Sequence, residues 1–251
     1  MSCNFVLADS ADLDLASPPH LDNMEPLLWG AWIYPRSIGQ GNMRIIQKDN
    51  NFNAGALRLQ MNNSLGLRMF KDYSTTDHDF ISAASSITLN SWNFIAMYWN
   101  GSNDLGSVKF WVNMSSPGFQ SRQTGVGTKN SDASIEFHIG NTDADSNSFD
   151  GYISDVFCYG SLNVQSYDYI MTLLSQHYMR YMPLQITPEG TPFNGSILRL
   201  YLPMDDMNDG QAIATPNTFK DRSPFYTAVS GKFATGGAST TASNFDALSY
   251  P

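Results

Sequence analysis

The chain is short of charge, short of one acid and short of cysteine. Asp, Glu, Lys and Arg make up 15% of its 251 residues, below the ~25% of an ordinary soluble domain. Fourteen Lys and Arg face 23 Asp and Glu, a formal charge of −9, and the basic residues fall singly along the chain. Nucleic-acid binding by charge needs a clustered basic surface to displace counterions, so that class is excluded. No apolar run approaches the ~20 residues that span a bilayer. The start, Met-Ser-Cys-Asn-Phe-Val-Leu-Ala-Asp, lacks the basic and apolar regions of a cleaved signal. We therefore expect neither export by a signal peptide nor a membrane span. Only two cysteines occur, Cys3 and Cys158. Their separation fits no metal-ligand spacing and leaves open whether they pair or stay as buried thiols.

The acids that are present are lopsided: 20 are Asp and three, Glu25, Glu136 and Glu189, are Glu. Asp, Asn and Ser favour turns and strand ends, whereas Glu favours helices, so the balance predicts a β-rich chain with many loops. Apolar residues reach 42% and aromatics 13%, enough for a core and too many for a disordered chain. Leu27 to Pro35 places Leu27, Trp29, Ala31 and Ile33 on one face, the period of a strand with a buried side. Strand-like runs follow at 44–48, 56–62, 65–70, 80–88, 92–100, 108–113, 134–140 and 150–160, divided by Gly/Asn/Asp/Ser turns. One helix is expected near residues 163–177, with Asn163 as its cap and Val164, Tyr167, Ile170, Met171 and Leu174 at helical spacing, lying across an end or edge of the sheets. The Pro-rich stretch 183–195 reads as a linker. LRLYLPM from residue 198 and FYTAVSG from residue 225 return to strand character, and the last twenty residues form a small, polar arm.

These stretches resemble the laminin-G-like, concanavalin A-like jelly-roll family, of the kind found in bacteriophage structural proteins. The carriers are GAWIYPRS at 30–37, WNFIAMYWNG at 92–101, VKFWVNMSSPG at 108–118, and above all IEFHIGNTDADSNSFDGYISDVFCYGSLNVQSYDYIMTLL at 135–174. The resemblance covers most of residues 5–178. It implies an all-β fold, an antiparallel β-sandwich of jelly-roll type with one short helix and a β-containing C-terminal extension. We divide the chain into a sandwich at 1–182 and, at 183–251, a linker with a C-terminal strand segment and arm. The order of parts departs from the family: its usual opening strand, acidic loop and Asp-x-Ser turn stand here at the far end, as LRLYLPMDD and DRSPFYTAVSG. The domain is then circularly permuted, or the strand completes a neighbour's sheet, or the segment is an unrelated extension.

Jelly-roll glucanases carry a Glu-x-Asp-x-Glu cluster on one strand, and retaining glycosidases set two carboxyls ~5–5.5 Å apart. Glu136 has no acidic residue at i+2 or i+4 and reads as a solvent-facing strand residue. His20, His78, His138 and His177 stand isolated along the chain, and no nucleophile elbow, zinc spacing or phosphate loop is present. No enzymatic activity is expected. Calcium is the better chemical fit, because hard oxygen donors packed in one loop suit it. Asn141, Asp143, Asp145, Asn147 and Asp150 supply such oxygens, and we assign the ion to Asp143, Asp145 and Asp150. Asp205, Asp206 and Asp209 form a second acidic loop. Trp29, Trp32, Trp92, Trp99 and Trp111 are core or sheet-face residues before they are a sugar-stacking platform. The resulting expectation is a structural or assembly protein of a large particle: a phage virion component such as a capsid decoration, fibre or tail protein. Its partners would be itself, as a homo-oligomer, and other particle proteins. The alternative is a calcium-assisted module that binds surface glycans in adhesion.

Overall fold

A computed structural model describes residues 3–5, 12–15, 17–39, 41–49, 55–141, 147–162, 167–179, 197–204, 218–223 and 228–232. They form two antiparallel sheets packed face to face, with a single α-helix among the described residues. In chain order the strands are β1 (Cys3–Phe5), β2 (Asp12–Asp14), β3 (Leu27–Pro35), β4 (Met43–Lys48), β5 (Leu57–Met61), β6 (Leu67–Lys71), β7 (His78–Ser82) and β8 (Asn93–Trp99). They continue with β9 (Val108–Val112), β10 (Phe119–Gln123), β11 (Phe137–Ile139), β12 (Gly151–Tyr159), β13 (Leu198–Leu202), β14 (Thr218–Lys220) and β15 (Ala228–Lys232). The helix is α1 (Tyr167–Tyr178). No helix among the described residues is long and apolar enough to cross a membrane.

The first sheet runs β1–β12–β3–β8–β9, and β13 also pairs with β12. Since β3 occupies one whole edge of β12, β1 and β13 share the other edge end to end: Cys3 lies opposite Ile153, and Leu202 opposite Val156. The second sheet runs β10–β7–β6–β5–β4–β11–β2–β15–β14. Strands from the C-terminal segment thus take places in both sheets. Residues 183–196, the acidic loop at 205–210 and the arm at 233–251 lie outside the described residues.

Alternation in β3 explains the layering. Leu27, Trp29, Ala31 and Ile33 enter the core between the sheets, as their period predicts. Leu28 and Trp32, on the opposite face, join a second apolar cluster with Phe94, Phe157 and Tyr159. Helix α1 covers that cluster with Ile170, Leu173 and Leu174, so it lies on the outer face of the first sheet and not at an end or edge. The reason is that both faces of β3 are apolar and both need cover. His177 closes the contact. Its ring stacks on Phe157 at 3.8 Å between centroids, and Nε2 meets the Tyr159 hydroxyl at 2.8 Å. Gly30 permits this packing, since a Cβ there would lie 2.3 Å from the end of the Phe157 ring.

Two charges enter the core side of the second sheet. Lys48 and Lys71 are the Cα partners of Leu57 on either side, so they share its inward face. Both are fully buried and converge on Asp132, at 3.4 and 3.5 Å. Burial lowers the Lys71 pKa, against the pull of Asp132. The strand expected at 80–88 is shorter: β7 stops at Ser82, where the chain turns and Ser85 takes a positive φ of 56°. β10 is a strand with no apolar alternation to signal it, since all five of its residues are exposed.

Candidate functional site

With α1 on the first sheet, the outer face of the second is where side chains with chemistry collect. In β5, Leu57, Leu59 and Met61 point inward, which turns Arg58 and Gln60 outward; in β6, Leu67 and Met69 do the same for Arg68 and Phe70. Register then aligns two rows across the strands. One runs Asp14, His138, Gln47, Arg58, Phe70 and Asp79; the other runs Arg44, Gln60, Arg68 and Ile81.

Over these rows lies a groove of about 420 Å³ whose lining includes Arg44, Arg58, Arg68, Phe70, Asp72 and Asp77. Each guanidinium is held. Arg58 Nε donates to Asp49 Oδ2 at 2.7 Å, and its Cζ sits 4.5 Å from the centre of the half-buried Phe70 ring. Arg68 donates through two nitrogens to the two oxygens of Asp79, at 2.8 and 2.6 Å. Arg44 donates to the Gln60 side-chain oxygen. Burial, and then the neighbouring Arg58, bring the Arg44 pKa down to about 9. Fixed planar donors beside an aromatic ring and carboxylates suit a ligand rich in hydroxyl or carboxyl groups, because the donors lose little freedom on binding.

The calcium loop is described only in part. Asp143 and Asp145 lie outside the described residues. Asp150 accepts from Arg36 Nε at 3.1 Å and from the Ser37 hydroxyl at 2.7 Å, which fixes its carboxylate at the end of the loop. Asn141, at the head of the loop, is fully buried, and neither atom of its amide finds a hydrogen-bond partner among the described residues. The Gln47 side-chain oxygen, whose nitrogen donates to the Asn141 carbonyl at 2.8 Å, is also left without one. Such orphaned atoms mark a place for an ion or water.

The other residues singled out in the sequence are mostly packing. Trp29, Trp99 and Trp111 are buried, and Trp32 stacks on Tyr178. Cys158 is a buried free thiol whose pKa burial raises far above the usual value. His78 pairs with the Ser107 hydroxyl at 2.8 Å, and burial lowers its pKa to about 4. Glu136 and His138 are the exception: far along the chain from Asp12 and Asp14, they meet them in space. Sequence reasoning passed over Arg44, Arg58, Arg68 and Phe70, although Arg-Leu-Gln at 58–60 and Arg-Met-Phe at 68–70 repeat the same outward pattern on successive strands.

A family model described as the concanavalin A-like lectin/glucanases superfamily matches residues 14–163. Among solved structures, the enzymatically active domain of tailspike protein 2 from bacteriophage CBA120 aligns at 13% identity and a TM-score of 0.50, over 82% of this chain and 30% of that one. The CBM40 of Ruminococcus gnavus IT-sialidase aligns at 13% identity and a TM-score of 0.48, over 69% of this chain and 95% of that one. A heptameric SAP-like pentraxin from Limulus polyphemus aligns at 14% identity and a TM-score of 0.44, over 62% and 74%. No curated protein sequence matches the chain. At these identities the likeness is one of fold.

Proposed function

The chain belongs to the concanavalin A-like lectin/glucanase superfamily, and from that premise we propose that it is a non-enzymatic glycan-binding module of a large particle, most specifically a bacteriophage virion surface component. The observation that carries the binding half is the groove: Arg58 and Arg68, each locked to an aspartate, flank a half-buried Phe70 on an outward sheet face. That set offers fixed donors for a sugar's oxygens, with the Phe70 ring holding the Arg58 guanidinium in place beside them. The particle half draws on the tailspike of bacteriophage CBA120, a virus protein about a third of which aligns with this fold. It also draws on the low charge density, which suits a surface covered by neighbours in a homo-oligomer. Calcium at the 141–150 loop belongs to this reading, supported by the orphaned Asn141 amide.

A glycan array probed with the full chain tests the reading, followed by calorimetry on the hits. Arg58→Ala and Phe70→Ala are each expected to weaken a hit about 10- to 100-fold, the equivalent of ~1.5–3 kcal/mol for a charged hydrogen bond or a stacked ring. An array without hits at high protein concentration, or hits indifferent to both substitutions, removes the groove as the site.

A further inference from the structure

Apart from the groove, one cluster on the same sheet face has the donors and spacing of a metal centre. β2 brings Asp12 and Asp14, and Glu136 with His138 stands at β11. Within each pair one residue intervenes, so both members leave the outer face while Leu13 and Phe137 enter the core. Antiparallel register sets His138 directly opposite Asp14. One donor atom each from Asp14, Glu136 and His138 lie within 4.8 Å of one another, and Glu136 Oε2 is 3.5 Å from His138 Nε2. Donors bound tetrahedrally at ~2.0–2.2 Å are separated by about 3.3–3.6 Å. The Glu136–His138 edge already has that length.

The imidazole is also aimed. His138 Nδ1 lies 2.8 Å from Asp12 Oδ2, and the ring is fully buried. A carboxylate accepting from one ring nitrogen fixes the tautomer whose other nitrogen can donate its lone pair to a metal. Asp14 is buried, whereas the Glu136 side chain is 37% exposed, which leaves one side open for entry and for a water ligand. The donor set of one imidazole and two carboxylates selects the kind of ion. Calcium and magnesium prefer all-oxygen shells, thiolate-seeking ions lack a sulfur here, and zinc accepts mixed nitrogen and oxygen.

We infer that Asp14, Glu136 and His138 bind one divalent transition-metal ion of the zinc class, with Asp12 as the residue that positions His138. The site stands two strands from Arg58, about 10 Å at the usual strand spacing. It is independent of the groove, and either can fail without the other. Its rival occupant is a proton: an imidazolium between Asp12 and Glu136 would fill the same geometry without metal.

The test uses the full chain, stripped with chelator and then titrated with zinc chloride in a calorimeter at pH 7.5, with bound metal counted by mass spectrometry after dialysis. One zinc per chain is expected, and cobalt(II) should give a visible band that zinc abolishes and millimolar calcium does not. His138→Ala should remove the binding, and the half-exposed Glu136→Gln, which disturbs packing least, should weaken it at least tenfold with an unchanged circular dichroism spectrum. Asp12→Asn should weaken it about 10- to 100-fold while keeping the cobalt band, the mark of a positioning role. Less than stoichiometric zinc, or stoichiometric zinc that survives Glu136→Gln undiminished, overturns the inference.

Discussion

Leu200→Ala asks whether β13 belongs to its own sandwich. Leu200 and Leu202 are fully buried in the core between the sheets, while Leu198 and Tyr201 join the cluster beneath α1. Truncating a buried leucine to alanine costs about 2–5 kcal/mol, from lost transfer energy and the cavity left behind. The whole stability of a domain is about 5–15 kcal/mol. For a sandwich of this size, a loss of ~3 kcal/mol lowers the melting temperature by roughly 6–12 °C, at ~2–4 °C per kcal/mol. Leu105→Ala, at a side chain 51% exposed, serves as control and should change stability by less than ~0.5 kcal/mol. Urea unfolding followed by tryptophan fluorescence measures both, repeated across a hundredfold range of protein concentration. The expected result is a large Leu200→Ala effect that does not depend on concentration. A strand donated to a neighbour would behave otherwise: dilute protein would be nearly indifferent to Leu200→Ala, and the midpoint would climb with concentration. That outcome refutes the intramolecular pairing of β12 with β13. By the same logic, a chain ended after Met182 should fail to unfold cooperatively.

Two further perturbations have signs that follow from the geometry. Burial holds the folded-state pKa of His177 down to about 3, against 6.5 for a free histidine, so the unfolded chain takes up this proton first. Stability from His177 is therefore complete above pH 6.5 and is lost as pH falls toward 3, at about 1.4 kcal/mol per pH unit. The urea midpoint of His177→Phe should fall less steeply between pH 6 and pH 4 than that of the unsubstituted chain; parallel slopes contradict the assignment. Calcium held at the 141–150 loop should raise the melting temperature by mass action, and Asp145→Ala should abolish the rise. Asp150→Asn should weaken both the Arg36 contact and the calcium response, because Asp150 serves Arg36 and the ion alike; unchanged melting at millimolar calcium removes the ion.

What the sequence made legible was local. The alternation in β3 and the helical spacing of Ile170 and Leu174 are properties of neighbours along the chain, and both reappear in the fold. The position of α1 on the outer face of the first sheet was not read, although Leu28 and Trp32, apolar on the outward face of β3, carried its signal. The Asp14–His138 pairing carried none, since it joins residues more than a hundred positions apart through a register that no local period encodes. Lys48 and Lys71 follow the same rule from the other side. A lysine in a strand reads as solvent-facing, and only the partner Asp132, brought in from a distant loop, allows it to point inward. The groove fell between these cases, since its arginines alternate correctly within each strand and gain meaning only when β4, β5 and β6 lie side by side.

The shared edge of β12 also sets a timetable for synthesis. β12 is complete once the ribosome has passed Tyr159, and by then β1 and β3 can already take their places along it. The stretch from Val156 to Tyr159 has no partner on its second edge until Leu202 has been made, an interval of about 2–9 s at ~5–20 residues per second. Along the second sheet, β2 waits longer still, from Asp14 to Lys232, for its outer neighbour β15. A nascent chain paused between these points exposes strand edges and the apolar faces of Phe157 and Tyr159 at once. Such open edges pair readily with other chains. Pausing in this window is thus expected to favour aggregates during expression, and the released full-length chain should not form them.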